Sequence, residues 1–247
     1  MRIGILEDDP GQAAIAHDTL SSAGHICHSF ATGQALVHAL QRQTFDLLAL
    51  DREVLEMSGE QVLRWTRQNL AGHVPVLFMT VCSEEGDVVA IFNAGADDHV
   101  TKPLSSGVLL ARVNALLRLA YGFDASVTRT TFGEFEFDRS SGQILRRGIA
   151  VSVTQREFAL ALLLFENMGR TLSRAHIREI VWRQVADIAS RTMDTHMSWL
   201  RTKLGLRPEN GYRLISIYGY GYRLERTGIE TIRSSNDELS VPDMMQV

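Results

Sequence analysis

Phe45-Asp-Leu-Leu-Ala-Leu-Asp51 is an apolar run that closes on an acid. Its body, Phe45–Leu50, does not alternate apolar with polar residues, so it reads as a strand buried on both faces, as in a parallel sheet. Outward from it the same signal repeats at Arg2–Leu6, His25–Phe30, Val74–Thr80 and Asp98–Thr101. The segments 11–23, 33–43, 59–70, 84–94 and 105–119 carry helical periodicity instead. Five βα units in succession predict a doubly wound α/β domain with a five-stranded parallel sheet over residues 1–120.

Beyond it, Tyr121–Thr130 shows no period and reads as a linker over 121–130. Alternation returns in 132–153, as strands Phe132–Asp138, Gln143–Arg147 and Ile149–Val153, with Ser140-Ser-Gly142 as a turn. Thr154-Gln-Arg-Glu157 is a capping box that starts a helix. Ser173 caps a second helix to about Trp182, and a third runs from about Ser190 to Leu204. Residues 213–225 read as a hairpin around Gly219-Tyr-Gly221. Three helices and a closing hairpin after a small sheet predict an α+β winged helix-turn-helix over 131–226. The polar, acidic stretch 227–247 reads as a disordered tail.

Composition narrows the function. The net charge of −4 hides an asymmetry. Residues 1–120 hold 8 Lys and Arg against 14 Asp and Glu, whereas 131–226 hold 15 against 10. An acidic half before a basic half suits a regulatory module joined to one that binds a polyanion, although chance variation of solvated faces gives the same count. Cys27 and Cys82 have no CxxC spacing, which excludes a disulfide scaffold and a four-ligand zinc site and points to a reducing cytosol. The longest apolar run, Phe158–Phe165, is too short to span a bilayer, and Glu7, Asp8 and Asp9 interrupt the first apolar stretch before it resembles a signal peptide.

In open α/β sheets, sites form beyond the carboxyl ends of the strands. Glu7 and Asp8 follow the first strand, Asp51 the third and Lys102 the fifth, while Thr80 ends the fourth. Three converging carboxylates repel one another unless a cation lies between them, and all-oxygen ligation suits Mg2+. Lys102 and the Thr80 hydroxyl add positive charge and a hydrogen bond for a phosphoryl group. The constellation suits a phosphorylated aspartate and its transition state. Each residue alone has an ordinary reading as helix cap, strand residue or surface loop; their coincidence at successive strand ends does not.

With these residues the chain resembles the OmpR/PhoB-type two-component response regulators over about residues 1–226. The first half matches in Ile5-Leu-Glu-Asp-Asp9, Phe45–Asp51, Met57-Ser-Gly59, Met79-Thr80 and Gly95-Ala-Asp-Asp-His-Val-Thr-Lys-Pro103. The resemblance implies that Asp51 accepts a phosphoryl group from a sensor histidine kinase. It implies Mg2+ held by Asp8, Asp51 and the Glu53 main-chain carbonyl, with Glu7 acting through water, and Thr80 and Lys102 on the phosphoryl oxygens. It also implies a homodimer, formed on phosphorylation, through the fourth and fifth helices and the fifth strand, to which Asp97, Asp98 and Arg112 belong. Where the family has an ion pair across this face, Val88 and Val108 stand here. Three further departures are Leu55 in place of Pro, bulky Val81 after Thr80, and His99 at the aromatic switch position. An imidazole there fills less space than the larger aromatic ring.

The second half matches in Val153-Thr-Gln-Arg-Glu-Phe158, Leu172-Ser-Arg174, Ser190–Leu204 and Tyr218-Gly-Tyr-Gly-Tyr-Arg-Leu224. Helix geometry gives an independent reading. Met193, Met197, Leu200 and Leu204 form one apolar stripe, and Arg191, Thr195, Ser198 and Thr202 lie opposite, towards a major groove. Arg201 and Lys203 flank them for phosphate contact, with Thr192 and Asp194 also on the DNA side, and the hairpin suits a wing in the minor groove. Trp199 and Tyr218 stand where the family often has Arg, so relatives do not specify the base preference.

The expected function is phosphorylation-gated, sequence-specific binding of promoter DNA in the cytoplasm, with RNA polymerase a further candidate partner and no membrane partner. Apart from its own phosphotransfer and dephosphorylation, no enzymatic activity is expected. Two alternatives remain: a phosphorylation-independent DNA-binding protein with the receiver as scaffold, favoured by Val81 and His99, and an aspartyl phosphatase with Glu53 as the second acid.

Overall fold

The computed structural model describes residues 1–70, 72–81, 85–122, 128–182 and 190–227, the side chains of Glu85, Ser190 and Arg191 excepted. The first domain alternates strands and helices: β1 (Arg2–Leu6), α1 (Pro10–Ser22), β2 (Ile26–Phe30), α2 (Gly33–Arg42), β3 (Leu47–Asp51), α3 (Gly59–Asn69), β4 (Val76–Thr80), α4 (Glu85–Asn93), β5 (Asp98–Thr101) and α5 (Ser106–Tyr121). The sheet is parallel throughout, in the order β2-β1-β3-β4-β5. Every residue of β1, β3 and β4 is buried. Ile3, Ile5, Leu47, Ala49, Leu77 and Met79 face α1 and α5, and Leu6, Leu48, Leu50, Val76 and Phe78 face α2 and α3. That two-sided burial explains why these runs do not alternate.

Local signals set the helix starts. Asp9 caps α1 by accepting from the Gln12 N–H at 2.8 Å, with Pro10 in the first turn. Ser58 and Gln61 form a capping box at α3. α3 begins hard against the end of β3, where a Cβ on Gly59 would lie 2.1 Å from the Asp51 carbonyl oxygen. Only glycine lets the helix approach this closely, and the approach fixes the backbone that carries Asp51.

The second domain opens with an antiparallel sheet of β6 (Arg129–Phe132), β7 (Phe135–Asp138), β8 (Gln143–Arg146) and β9 (Ile149–Val151). The single strand expected over 132–138 is instead two, folded back at Gly133, whose φ of +60° suits a turn. Tyr121, expected in the linker, ends α5, and β6 begins at Arg129, two residues inside the expected linker; 123–127 lie outside the described residues. Helices α6 (Gln155–Glu166), α7 (Arg174–Val181) and α8 (Ser190–Lys203) follow, α6 capped by the Thr154/Glu157 box and α7 by Ser173. The short strand β10 (Thr171–Ser173), which the sequence did not announce, joins the hairpin β11 (Tyr212–Ile217) and β12 (Gly221–Arg226) in a sheet of order β10-β12-β11. Phe135, Phe137, Phe165, Ile177, Met193, Met197, Leu200, Leu204 and Leu224 share one core. Residues 228–247, expected as a tail, lie outside the described residues.

Candidate functional site

The carboxyl ends of β1, β3, β4 and β5 bring Glu7, Asp8, Asp51, Thr80 and Lys102 into one pocket. One oxygen from each of Glu7, Asp8 and Asp51 lies within 4.8 Å of the others. Glu7, Asp51 and Thr80 are buried and Asp8 is half-buried. The Lys102 ammonium reaches between two of the acids, 2.6 Å from Glu7 Oε2 and 2.8 Å from Asp51 Oδ2. Its backbone N–H donates to the Thr80 carbonyl at 2.8 Å, which ties the end of β5 to the end of β4. Burial pushes the Glu7 carboxyl above its ordinary value, and the Asp51 charge adds to this against the pull of Lys102. Burial alone would lower the Lys102 ammonium, but its bonds to Asp51 and Glu7 hold it above the usual lysine value. A pocket with three converging acid oxygens and a compensating ammonium fits a divalent cation with oxygen ligands.

The neighbours of Asp51 are held as well. The Glu53 N–H donates to Asp51 Oδ1 at 3.3 Å, and the Glu53 side chain is exposed. Arg52, which the sequence reading passed over, bridges Glu60 of α3 at 2.9 Å and Asp87 of α4 at 2.7 Å. Val81 is 74% exposed, on the rim of a groove with Gln12, Ile15, Pro103 and Leu104. His99 packs edge-on against Phe92 with ring centroids 5.6 Å apart, and its buried Nδ1 has no hydrogen-bond partner among the described residues.

On the α4–β5–α5 face, Val88 is half-buried, while Val89, Phe92 and Val108 are exposed. Two of the acids expected to pair across a dimer are paired within the chain. Asp98 accepts from Arg112 at 2.7 and 2.8 Å. Asp97 is held by Arg67 at 2.8 Å, His73 at 2.5 Å and the Val76 N–H at 2.7 Å, because it lies beside α3 at the start of β5.

In α8 the apolar stripe is buried, and Thr192, Thr195, Ser198 and Thr202 are exposed. Arg191 has its side chain outside the described residues. Three residues expected on the DNA side are engaged inside the domain. Asp194 accepts from Arg174 at 2.5 Å and from the Tyr222 hydroxyl, Arg201 donates to the Leu214 carbonyl at 3.1 Å, and Lys203 holds buried Glu157 at 2.8 Å. Trp199 is 49% exposed and meets the His196 ring edge-on at 5.2 Å, while Tyr218 is fully exposed on the hairpin turn.

Both halves of the chain match known protein families. The family described as response regulator receiver domain matches residues 3–114, and the one described as transcriptional regulatory protein, C terminal, matches 148–224. The transcriptional regulatory protein CreB of Escherichia coli is 34% identical over 229 residues, which cover 90% of this chain and 96% of that protein. The response regulator protein PmrA of Pseudomonas aeruginosa is 34% identical over 227 residues, 92% of this chain and 99% of its own. A crystal structure of DrrB, a Thermotoga maritima OmpR/PhoB homolog, aligns over 92% of this chain and 99% of that chain at 26% identity, with a TM-score of 0.44. The chain belongs to the two-component response regulators. Within them it is of the OmpR/PhoB type, a transcriptional regulator with a receiver domain and a DNA-binding domain. No helix among the described residues is long and apolar enough to cross a membrane.

Proposed function

We propose that Asp51 is the phosphoacceptor, that Glu7, Asp8, Asp51 and the Glu53 main-chain carbonyl hold Mg2+, and that Thr80 and Lys102 receive the phosphoryl oxygens. The observation that carries this reading is the Lys102 ammonium set against Asp51 and Glu7 beside three convergent acid oxygens. Bound Mg2+ would neutralise charge on the phosphoryl oxygens. An Asp51 carboxylate oxygen attacks phosphorus, the bond to the histidine-kinase imidazole breaks, and the imidazole leaves with the electron pair. Lys102 then turns from the carboxylate to the new phosphoryl oxygens, and buried Thr80 donates its hydroxyl. The same pocket admits water to reverse the modification, and no wider enzymatic activity is proposed.

Phosphorylation adds about −1.5 to −2 charges at this end of the sheet. The exposed Val89, Phe92 and Val108 beside half-buried Val88 support a homodimer through α4–β5–α5 in response. The test is intact-mass measurement after treatment with a small phosphodonor and Mg2+. Wild type is expected to gain one phosphoryl adduct and to sediment as a dimer. Asp51→Asn should gain no adduct, and Val88→Asp with Val108→Asp should gain the adduct but stay monomeric. An unmodified wild type returns the receiver to a scaffold.

We assign duplex-DNA contact to the exposed face of α8 and to the turn between β11 and β12. Trp199 and Tyr218 are exposed there and carry no charge, so they contact DNA without releasing counterions. Trp199→Arg and Tyr218→Arg should each steepen the slope of log affinity against log salt by about 0.9 and tighten binding at low salt. Titrations across salt concentrations check this, and three identical slopes would place both side chains off the DNA.

A further inference from the structure

At the amino ends of β1 and β3, the end of the sheet away from Asp51, the receiver meets the DNA-binding domain in a compact polar contact. Thr44 and Ser173 exchange bonds: the Thr44 N–H donates to Ser173 Oγ at 3.1 Å, and the Ser173 N–H donates to Thr44 Oγ1 at 2.7 Å. Arg170 donates to Asp46 Oδ1 at 2.7 Å and to the Phe45 carbonyl. Arg2 donates to Glu179 Oε2 at 2.8 Å, and His176 Nδ1 stands 3.2 Å from the Thr44 carbonyl. Arg2, Thr44, Asp46, Ser173 and His176 are all buried.

The energetics of this contact are those of a clasp rather than a seal. Burial alone would raise the Asp46 carboxyl, but neighbouring His176, the Arg170 charge and the Arg2 N–H bring it below the ordinary value, so it stays ionised opposite Arg170. Such a pair fixes geometry strictly and adds little net stability over apolar packing. Beside it the domains do not close on each other: a cleft of about 530 Å³ lies between them, lined by Trp65, Leu70, Ile217 and Tyr220 among others. Without an apolar seal, the arrangement can be released by modest competing interactions.

The residues used by the second domain identify the competitor. Ser173, His176 and Glu179 recur every third position along α7 and its cap, so one side of that helix faces the receiver. In a helix-turn-helix the helix before the recognition helix crosses the DNA backbone. The turn of the β11–β12 hairpin also reaches the receiver, with the Tyr220 hydroxyl 3.5 Å from Thr44 Oγ1. The outer face of α8 stays exposed. We infer that the amino-end rim of the receiver competes with duplex DNA for α7 and the hairpin turn, so that full seating on DNA requires the Thr44–Ser173, Asp46–Arg170 and Arg2–Glu179 contacts to part. This rests on the DNA-binding reading above.

The test uses the full chain, with variants on both sides of the contact. Thr44→Val keeps the branched shape and lies on the receiver, where it has no route to DNA except through the clasp; Arg170→Met opens the same clasp from the other side. Hydrogen exchange at the Thr44 amide, whose N–H is bonded across the domains, should be slow in wild type and fast once a mixed-sequence duplex is bound. Thr44→Val should bind that duplex on the order of tenfold more tightly than wild type, within the range of ordinary inter-site coupling. Adding Arg170→Met should bring little further gain, because both act on one opening. Thr44 protection that persists in the DNA complex, or unchanged affinity in a Thr44→Val chain with wild-type melting, overturns the competition. A chain that binds no duplex in any form overturns the DNA-binding reading, and this inference with it.

Discussion

A Lys102→Met chain should lose about 3 kcal/mol of stability when no divalent cation is present, and regain most of it in Mg2+. The Lys102 side chain is 6% exposed and lies between carboxylates that are 1% and 10% exposed. Removing one member of a buried charge group strands the others, at a cost of about 3–5 kcal/mol. Glu7, whose carboxyl burial already pushes up, can take a proton, which holds the loss near the lower end. A divalent cation replaces the missing charge directly. Urea melts with and without Mg2+ give the answer, and equal losses in both would mean that the acids do not share a cation site. The same variant should accept the phosphoryl group poorly, because a unit charge pair at 4 Å contributes about 4 kcal/mol at the effective dielectric of a protein surface.

Lys203→Met should destabilise the second domain by about 2 kcal/mol while leaving the salt dependence of DNA binding nearly unchanged. Lys203 bonds both oxygens of Glu157, at 2.9 and 2.8 Å, and the Glu157 side chain is 1% exposed. Lys203 itself is 37% exposed, so solvent screens the pair and the cost falls below that of a fully buried one. Burial would raise the Glu157 carboxyl, but Lys203 and the Thr154 N–H hold it below its ordinary value. Because its folded pKa lies below the unfolded value of about 4.3, this stabilisation is complete above that pH and is lost as pH falls through the folded pKa. The variant should therefore lose part of the acid-side decline in melting temperature. A chain that melts as wild type but shows a shallower salt slope would put Lys203 on the DNA instead.

The parts of this fold that were legible share one property: each is a local pattern with a single physical cause. Strands buried on both faces show as unbroken apolar runs, and the capping residues Thr154 and Ser173 announce their own helices. Site residues at strand ends are legible because topology places every carboxyl end on one rim. What stayed hidden depends on partners far away in the chain. β10 is three residues long and exists because it pairs with β12. A helical wheel places Asp194, Arg201 and Lys203 on angles, but not against Tyr222, Leu214 and Glu157. Asp46 and Arg2 were visible clues to the domain contact, since a charge inside an apolar run needs a buried partner. The run around Asp46 does not say that the partner is Arg170, 124 positions away.

Helix α5 joins the exposed apolar face of the receiver to the contact between the domains. Near its start lies Val108 of the exposed apolar face; its last residue, Tyr121, donates its hydroxyl to the Asp46 carbonyl at 2.9 Å and carries the Arg170 guanidinium 5.1 Å above its ring. Sixteen residues of unbroken helix make a rod about 24 Å long. A rod of that stiffness transmits a tilt at one end to the other. The Val108 face and the Asp46–Arg170 pair are therefore mounted at the two ends of one stiff shaft.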